Sequence, residues 1–307
     1  MKMDPKYIII FIFIVVWSLS YAGMQEAKKK NINNRKTDSP VVNNLGDSVK
    51  VTPNGDLKVY FFNAGQADSI LIENEGKFML IDAGNNADGK NIVNYLKKLG
   101  IKKLDYLVAT HAHEDHIGGM DDIINSFDIG VFYMPDVVTT TKTFEDLIIA
   151  LENNNVKVDT PNIGDIFLFG GCKFEVLHLD DDESDLNNTS IVLRGLYGNN
   201  SFLFMGDATS VVEKVILNSN IDSDVLKVGH HGSRYSSSVN FLKKVTPKYS
   251  IISVGEDNSY NHPHSVTFTK LEDVDSNVYR TDNDGTILVT SDGKDIKLEK
   301  MDLSLNG

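Results

Sequence analysis

Thr110-His-Ala-His-Glu-Asp-His-Ile-Gly-Gly119 places three imidazoles and a carboxylate within six residues, directly after a mostly apolar run at 104–110 that predicts a buried strand. His111 and His113 alternate at the strand exit, so both can point at one metal ion. Asp115 and His116 begin the next turn and can reach a second position nearby. Imidazole and carboxylate together suit zinc, manganese or iron and are typical of a two-metal hydrolytic centre. The candidate metal ligands are His111, His113, Asp115 and His116.

Strands and helices are predicted on both sides of this motif and make residues 56–307 one domain. Strands are predicted at 57–62, 69–73, 77–82, 104–110, 172–177, 190–194, 201–205, 224–228, 249–254 and 286–290. The spacing of apolar residues places helices at 89–99, 143–153, 209–218, 238–244 and 265–273. Many strands with interspersed helices, and no repeat of fixed period, favour an α/β (α+β) fold with two sheets between helical layers.

The charge of the chain is unevenly distributed. Residues 1–58 hold nine Lys or Arg against five acids, which leaves a net charge of −17 for the remainder of a chain whose total is −13. A body this acidic repels nucleic acid over most of its surface, although it leaves room for a local basic groove. The single cysteine, Cys172, allows no internal disulfide, and we expect it to be a small buried hydrophobic side chain.

Residues 1–22 have the pattern of a targeting segment. Lys2 and Lys6 precede an apolar run at 7–17, and Ser20-Tyr-Ala22 fits a small-residue cleavage site. The run is shorter than the about 20 residues that cross a bilayer, which favours a cleaved signal peptide, while its strong hydrophobicity leaves an uncleaved membrane anchor open. Both interpretations predict a protein that is secreted or anchored to the outer face of the cytoplasmic membrane. Residues 23–55 are Lys/Asn-rich and predict a disordered linker.

The pattern His-x-His-x-Asp-His after a strand resembles the signature of the metallo-β-lactamase superfamily. This resemblance implies a four-layer αββα sandwich and a centre of two divalent metal ions, Zn or Mn. It also implies that Asp82 supports the metal-binding loop from behind and that Asp207 bridges the two metals. The last histidine ligand is His230 or His231. We favour His230, the first residue after its strand, which leaves His231 beside the substrate.

A narrower resemblance runs from about residue 57 to about 298. The segments that carry it are similar to the hydrolase domain attached to the bacterial DNA-uptake channel ComEC, and they lie at Phe61–Ser69, Asp224–Ser233, Asn258–His264 and Tyr279–Asp282. The channel itself is not expected, because the chain has no second apolar span, so we expect a free-standing relative of that domain. The resemblance favours a phosphodiester substrate, either nucleic acid or a cell-surface polymer.

One departure concerns a further histidine that many superfamily members place before the strand leading to the Gly-Asp motif. Here residues 186–190 read Leu-Asn-Asn-Thr-Ser and contain no imidazole. Asn187 or Asn188 could supply an amide oxygen instead. His178 could swing in from the preceding strand, although the role of an ordinary strand-end histidine is favoured for it. One of the two metal positions is therefore expected to be weak.

Several side chains are candidates for work on the substrate. Asp115 is placed to orient the attacking water, and Ser233 could hold an anionic group. His262 and His264 flank Pro263 and could contact a substrate phosphate or protonate a leaving group, with ordinary surface-loop histidines as the alternative. The candidate catalytic residues are therefore Asp115, His231 and His264.

These features predict a metal-dependent hydrolase that acts through a metal-activated water, most directly a phosphodiesterase or nuclease. Two other functions stay open. The first is hydrolysis of a small ester, lactone or β-lactam. The second is a metal-binding surface module with little catalysis, which the missing histidine favours and the otherwise near-complete ligand set disfavours.

Overall fold

The computed structural model describes residues 52–303, which form two sheets with helices on their outer faces. The strands are β1 Leu57–Phe61, β2 Ser69–Asn74, β3 Lys77–Ala83, β4 Lys103–Val108, β5 Asp128–Tyr133, β6 Val158–Asp159, β7 Ile166–Phe169, β8 Cys172–His178, β9 Val192–Tyr197, β10 Asn200–Phe204, β11 Val225–Lys227, β12 Tyr249–Ile252, β13 Asn277–Arg280, β14 Thr286–Ser291 and β15 Ile296–Met301. The α-helices are α1 Gly89–Lys98, α2 Glu114–Ile117, α3 Met120–Ile124, α4 Lys142–Asn153, α5 Ser210–Ile216, α6 Val239–Val245, α7 Ser265–Glu272 and α8 Thr281–Asp284. Short 3₁₀ turns occupy Leu186–Thr189 and Gly229–Gly232.

The two sheets have related topologies. The first has eight strands in the order β15-β14-β1-β2-β3-β4-β5-β6, and the second has seven in the order β13-β12-β11-β10-β9-β8-β7. In each sheet antiparallel neighbours give way to parallel ones, from β3 to β6 in the first and from β10 to β13 in the second. Parallel strands align their carboxyl ends along one sheet edge, so loops that follow them can converge on one site.

Alternation of side chains along the strands builds three apolar layers. On β1, Val59 and Phe61 face the layer between the sheets, while Tyr60 faces the layer under the helices of the first sheet. A third layer lies between the second sheet and α5, α6 and α7, and Val212 and Phe241 belong to it. Helix, sheet, sheet and helix therefore stack in that order, which confirms the predicted αββα sandwich.

Local sequence accounts for the longer helices. On α1, Ile92, Val93 and Leu96 are buried at helical spacing, and Gly100 follows with φ of +78°, which ends the helix as the sequence predicts. On α4, the Thr141 side chain accepts a hydrogen bond from the Phe144 N–H at 3.3 Å and caps the first turn.

Every predicted strand and each of the five predicted helices overlaps an observed element. The prediction missed β5, β6, β7, β13 and β15, and it missed the short α2, α3 and α8. Cys172 is buried, as expected for a structural thiol.

The predicted signal or anchor at 1–22 and most of the predicted linker lie outside the described residues and stay predictions. Residues 52–55, at the end of that linker, contact the body of the protein. The Tyr197 hydroxyl lies 3.1 Å from the Asn54 carbonyl oxygen and 2.6 Å from that of Gly55. Between Thr52 and Leu303, no helix is long and apolar enough to cross a membrane.

Candidate metal centre

The candidate centre lies where chain segments leave the carboxyl ends of β3, β4, β10 and β11. Asp82 is the penultimate residue of β3, and the histidine motif follows β4. Asp207 follows β10, and His230 and His231 occupy the turn after β11. One His116 nitrogen lies 3.4 Å from an Asp207 oxygen, so the two sheets contribute to one site.

Asp82 holds the histidine loop from behind. One of its carboxylate oxygens accepts from the Thr110 N–H at 2.8 Å, and the other accepts from the Thr110 hydroxyl at 2.7 Å. The second oxygen also lies 2.8 Å from Nδ1 of His116. This contact fixes Nδ1 as the hydrogen-bonding nitrogen and leaves Nε2 free to bind a metal.

Four side chains bring ligand atoms within 4.8 Å of one another, and they are Asp115, His116, Asp207 and His231. Nε2 of His231 lies 3.3 Å from Oδ2 of Asp115 and 3.6 Å from Oδ1 of Asp207. Nε2 of His116, Nε2 of His231 and Oδ1 of Asp207 are buried and have no hydrogen-bond partner in the described structure. Buried polar atoms are nearly always paired, and a divalent cation would satisfy all three.

His231 occupies the position for which the sequence favoured His230. Nδ1 of His231 lies 2.8 Å from the Ser253 carbonyl oxygen and donates to it, so Nε2 turns toward Asp207. His230 lies outside the four-residue group, with its Nε2 at 3.8 Å from Oδ2 of Asp207. Both residues have left-handed backbones, with φ of 51° and 50°, and this tight turn sends the second imidazole inward. The geometry therefore favours His231 over His230 as the ligand.

His111 and His113 lie beside this group. Nε2 of His111 lies 3.0 Å from Nδ1 of His113, and the rings of His111 and His116 have centroids 4.1 Å apart. Burial and the neighbouring His116 lower the pKa of His111 well below its ordinary value, so His111 is neutral at physiological pH. A neutral imidazole is the form that binds a metal. The resemblance assigns these two histidines to a second metal position; in the described structure they lie outside the group of four ligand atoms.

The three candidates for the missing histidine differ in the structure. Asn188 is committed elsewhere, because its Oδ1 accepts from the Thr209 hydroxyl at 2.7 Å. His178 is buried with Nδ1 at 3.3 Å from the Ser190 carbonyl oxygen. Asn187 keeps a buried Oδ1 with no partner. Its segment is tied to the centre, because the Ser190 hydroxyl donates to the Asn187 carbonyl and accepts from the Asp207 N–H. Asn187 is therefore the candidate that the geometry favours.

The carboxylates around His116 and His231 favour positive charge in the group of four ligands. Burial lowers the pKa of His116, but the carboxylates of Asp207, Asp82 and Asp115 outweigh it and raise that pKa well above its ordinary value. Burial likewise opposes protonation of His231, yet its acidic neighbours raise its pKa to about 9. Without a metal, protonated His116 and His231 offset part of the negative charge of these carboxylates. A bound cation would take over that charge and release the protons.

A buried ion pair beneath the centre was missed by the sequence analysis. Nζ of Lys227 lies 2.7 Å from Oδ2 of Asp68, and the two side chains are 0% and 1% exposed. The Asp68 N–H donates to the Asp115 carbonyl at 3.0 Å, and Oδ1 of Asp68 lies 3.8 Å from Nδ1 of His231. The sequence feature that could have indicated this ion pair is a lysine within the apolar run Val225-Leu-Lys-Val228.

The loop that carries His262 and His264 lies at the outer side of the centre. The rings of His262 and His231 are stacked, with their centroids 6.4 Å apart. Nδ1 of His264 accepts from the Arg234 N–H at 3.2 Å, so that nitrogen is engaged by the protein. Ser233 was expected to hold an anion, but it is buried and its hydroxyl accepts from the Tyr235 N–H at 3.4 Å. The geometry gives that expectation no support.

Comparison with known proteins agrees with this architecture. A family profile described as "Metallo-beta-lactamase superfamily" matches residues 62–256. The "ComE operon protein 3" of Bacillus subtilis (strain 168) is 34% identical over 201 residues, which cover 64% of this chain and 26% of that protein. The "Competence protein ComA" of Neisseria gonorrhoeae is 28% identical over 243 residues, which cover 78% of this chain and 33% of that protein. This chain thus spans about a quarter to a third of these relatives.

Among solved structures, the metallo-beta-lactamase fold protein YhfI from Bacillus subtilis matches with a TM-score of 0.54 at 12% sequence identity. The match covers 77% of this chain and 100% of that chain, and it supports the fold alone. The profile and the curated relatives confirm the superfamily and the narrower resemblance to competence proteins.

Proposed function

This chain belongs to the metallo-β-lactamase superfamily, and from that membership we propose that it is a metal-dependent phosphodiesterase or nuclease. The observation that carries the proposal is the set of buried, unpartnered ligand atoms on His116, Asp207 and His231. Asp115 completes the group, with all four ligand atoms within 4.8 Å. Mixed imidazole and carboxylate sites of this kind suit Zn or Mn in hydrolytic centres.

Two positions would hold the metals. His116, His231 and Asp115 would bind one ion, while His111 and His113 would bind the other. The resemblance makes Asp207 the shared ligand, and its buried Oδ1 lies 3.4 Å from Nε2 of His116 and 3.6 Å from Nε2 of His231. When bound, divalent cations supply Lewis acidity and lower the pKa of a bound water to about 7.

The protein side chains would position the reacting groups. Asp115 is the most exposed member of the group, with 27% of its side chain accessible, so its carboxylate can accept a hydrogen bond from the attacking water and orient it. His262 and His264 line the outer side, where a leaving group would depart. The pKa of His262 is lowered to about 4 by burial and by neighbouring imidazoles, so it would act there as a hydrogen-bond acceptor.

The proposal is tested by hydrolysis of bis(p-nitrophenyl) phosphate with the full-length chain, stripped of metal and resupplied with Zn²⁺ or Mn²⁺. We expect turnover to return with metal and to be lost in His116→Ala and Asp207→Ala. Asp146→Ala is the matched control, because it removes an exposed carboxylate on α4 that pairs with Lys142. No turnover despite bound metal by elemental analysis would favour a small ester, lactone or β-lactam substrate, or a metal-binding module with little catalysis.

We also propose that the protein works outside the cytoplasm, secreted or anchored through residues 1–22. The proposed substrates there are nucleic acid and a phosphodiester-linked surface polymer such as teichoic acid. Cell fractionation with and without residues 1–22 tests the location. Retention of both forms in the cytoplasm would refute it.

A further inference from the structure

Two tyrosines are the most exposed large hydrophobic side chains among residues 52–303. Tyr235 is 68% exposed and Tyr260 is 63% exposed. A single exposed apolar residue is ordinary on a protein surface. The position of these two sets them apart, because both belong to segments that contact the metal centre.

Stacked rings connect Tyr260 to the centre. The rings of Tyr260 and His262 have centroids 5.6 Å apart with 24° between their planes. The rings of His262 and His231 have centroids 6.4 Å apart with 25° between their planes. Two successive stacked pairs, His231–His262 and His262–Tyr260, therefore lead from a candidate metal ligand to the largely exposed Tyr260 ring.

Tyr235 lies on the segment that follows His231, and hydrogen bonds from backbone N–H groups tie this segment to the loop that carries His262 and His264. The His264 N–H donates to the Gly232 carbonyl at 3.1 Å, and the Arg234 N–H donates to Nδ1 of His264 at 3.2 Å. These bonds hold the Tyr235 segment against the histidine loop. The exposed Arg234, next to Tyr235 in the sequence and bonded through its N–H to His264, adds a positive charge to this segment.

We propose that Tyr260 and Tyr235 stack against nucleobases of single-stranded nucleic acid, with Arg234 contacting its backbone. This inference rests on the proposed phosphodiesterase function and narrows its substrate. Every nucleobase offers a flat π face, and stacking on aromatic side chains recognises single strands without sequence preference. A polyol phosphate polymer offers no such face. The net charge of −17 beyond residue 58 disfavours duplex DNA, which requires many cationic contacts, whereas a single-stranded end requires few.

The experiment compares two single-stranded oligomers of equal length and charge, one with bases and one built from abasic sites. With the metal-loaded full-length chain, we expect KM to be about tenfold higher for the abasic oligomer. Tyr260→Ala and Tyr235→Ala should bring this KM ratio close to one, and Tyr260→Phe should preserve it, because the ring is retained. Ile149→Ala serves as the control, since it removes an exposed side chain from α4, which carries none of the site residues.

The outcomes separate this inference from the proposed function. Hydrolysis of both oligomers by the wild type with equal KM would refute base stacking and leave the phosphodiesterase standing. A tenfold KM ratio that survives in both alanine variants would also refute the role of the tyrosines. Hydrolysis of neither oligomer, nor of bis(p-nitrophenyl) phosphate, would overturn the phosphodiesterase and the stacking together.

Discussion

Replacing Lys227 alone should destabilise the protein more than replacing Lys227 and Asp68 together. Their charged atoms lie 2.7 Å apart, and the two side chains are 0% and 1% exposed. Lys227→Met leaves the buried Asp68 carboxylate with only the more distant His231 ring, 3.8 Å away, as a cationic neighbour, and removal of one member of a buried pair costs about 3–5 kcal/mol. Since 1 kcal/mol shifts the melting temperature of a domain of this size by about 2–4 °C, we expect a decrease of roughly 6–20 °C.

The measurement is urea and thermal unfolding of the metal-free protein. The double variant Lys227→Met, Asp68→Asn carries neither charge, so it should recover at least half of the stability lost by the single variant. Lys142→Met is the matched control, because Lys142 is exposed and its pairing with Asp146 contributes at most about 1 kcal/mol. A Lys227→Met protein within 1 kcal/mol of wild type, or a double variant as unstable as the single one, would refute the reasoning.

Three further predictions follow from the site and its loop. Asn187→His should tighten binding of the second equivalent of Zn²⁺ about tenfold by calorimetric titration, since imidazole is the better zinc ligand, and unchanged affinity would argue against Asn187 as the ligand that replaces histidine. Because the pKa of His231 in the metal-free protein is raised to about 9, metal uptake at lower pH must expel its proton, so apparent affinity should rise as pH approaches 9, about tenfold per pH unit for each proton expelled. Calorimetry in two buffers of different ionisation enthalpy should detect that proton, and its absence would contradict the assignment. Gly118→Ala should prevent folding, because its methyl group would lie 2.3 Å from backbone atoms of the Asn85–Asn86 segment, whereas Gly100→Ala meets no atom within 4 Å and should cost only about 1 kcal/mol through its positive φ. A Gly118→Ala protein with the wild-type melting temperature would contradict this packing.

The strands that the sequence predicts are those with several large apolar residues in succession, such as β3 and β10, because they are buried on both faces. Of the missed strands, β7 has this pattern over Ile166–Phe169 and was overlooked, whereas β5 and β15 lack it. On β5 only Phe132 and Tyr133 are buried, and Gly130 replaces a side chain where the strand approaches the Asp105 carbonyl. β15 is an edge strand with exposed and half-buried residues in alternation and no fully buried one. Tertiary pairing stabilises these strands, and single-sequence patterns carry little information about such pairing.

The candidate site likewise contains residues that the sequence could identify and a choice that it could not make. Four candidate ligands were predictable because they lie within six residues of one another, so local spacing alone brings them together. Spacing could not decide between His230 and His231, because two consecutive left-handed residues reverse the chain and no residue type enforces that conformation there.

Asp68 and Lys227 lie far apart in sequence, and only the packing of two sheets brings them into contact. One member of that pair, Lys227, could nevertheless be recognised from the sequence. Lys227 lies within an apolar strand whose three residues are all buried, and a buried ammonium group is stable only when it is paired. A lysine at such a position therefore indicates a buried acid nearby, even where the sequence cannot say which acid it is.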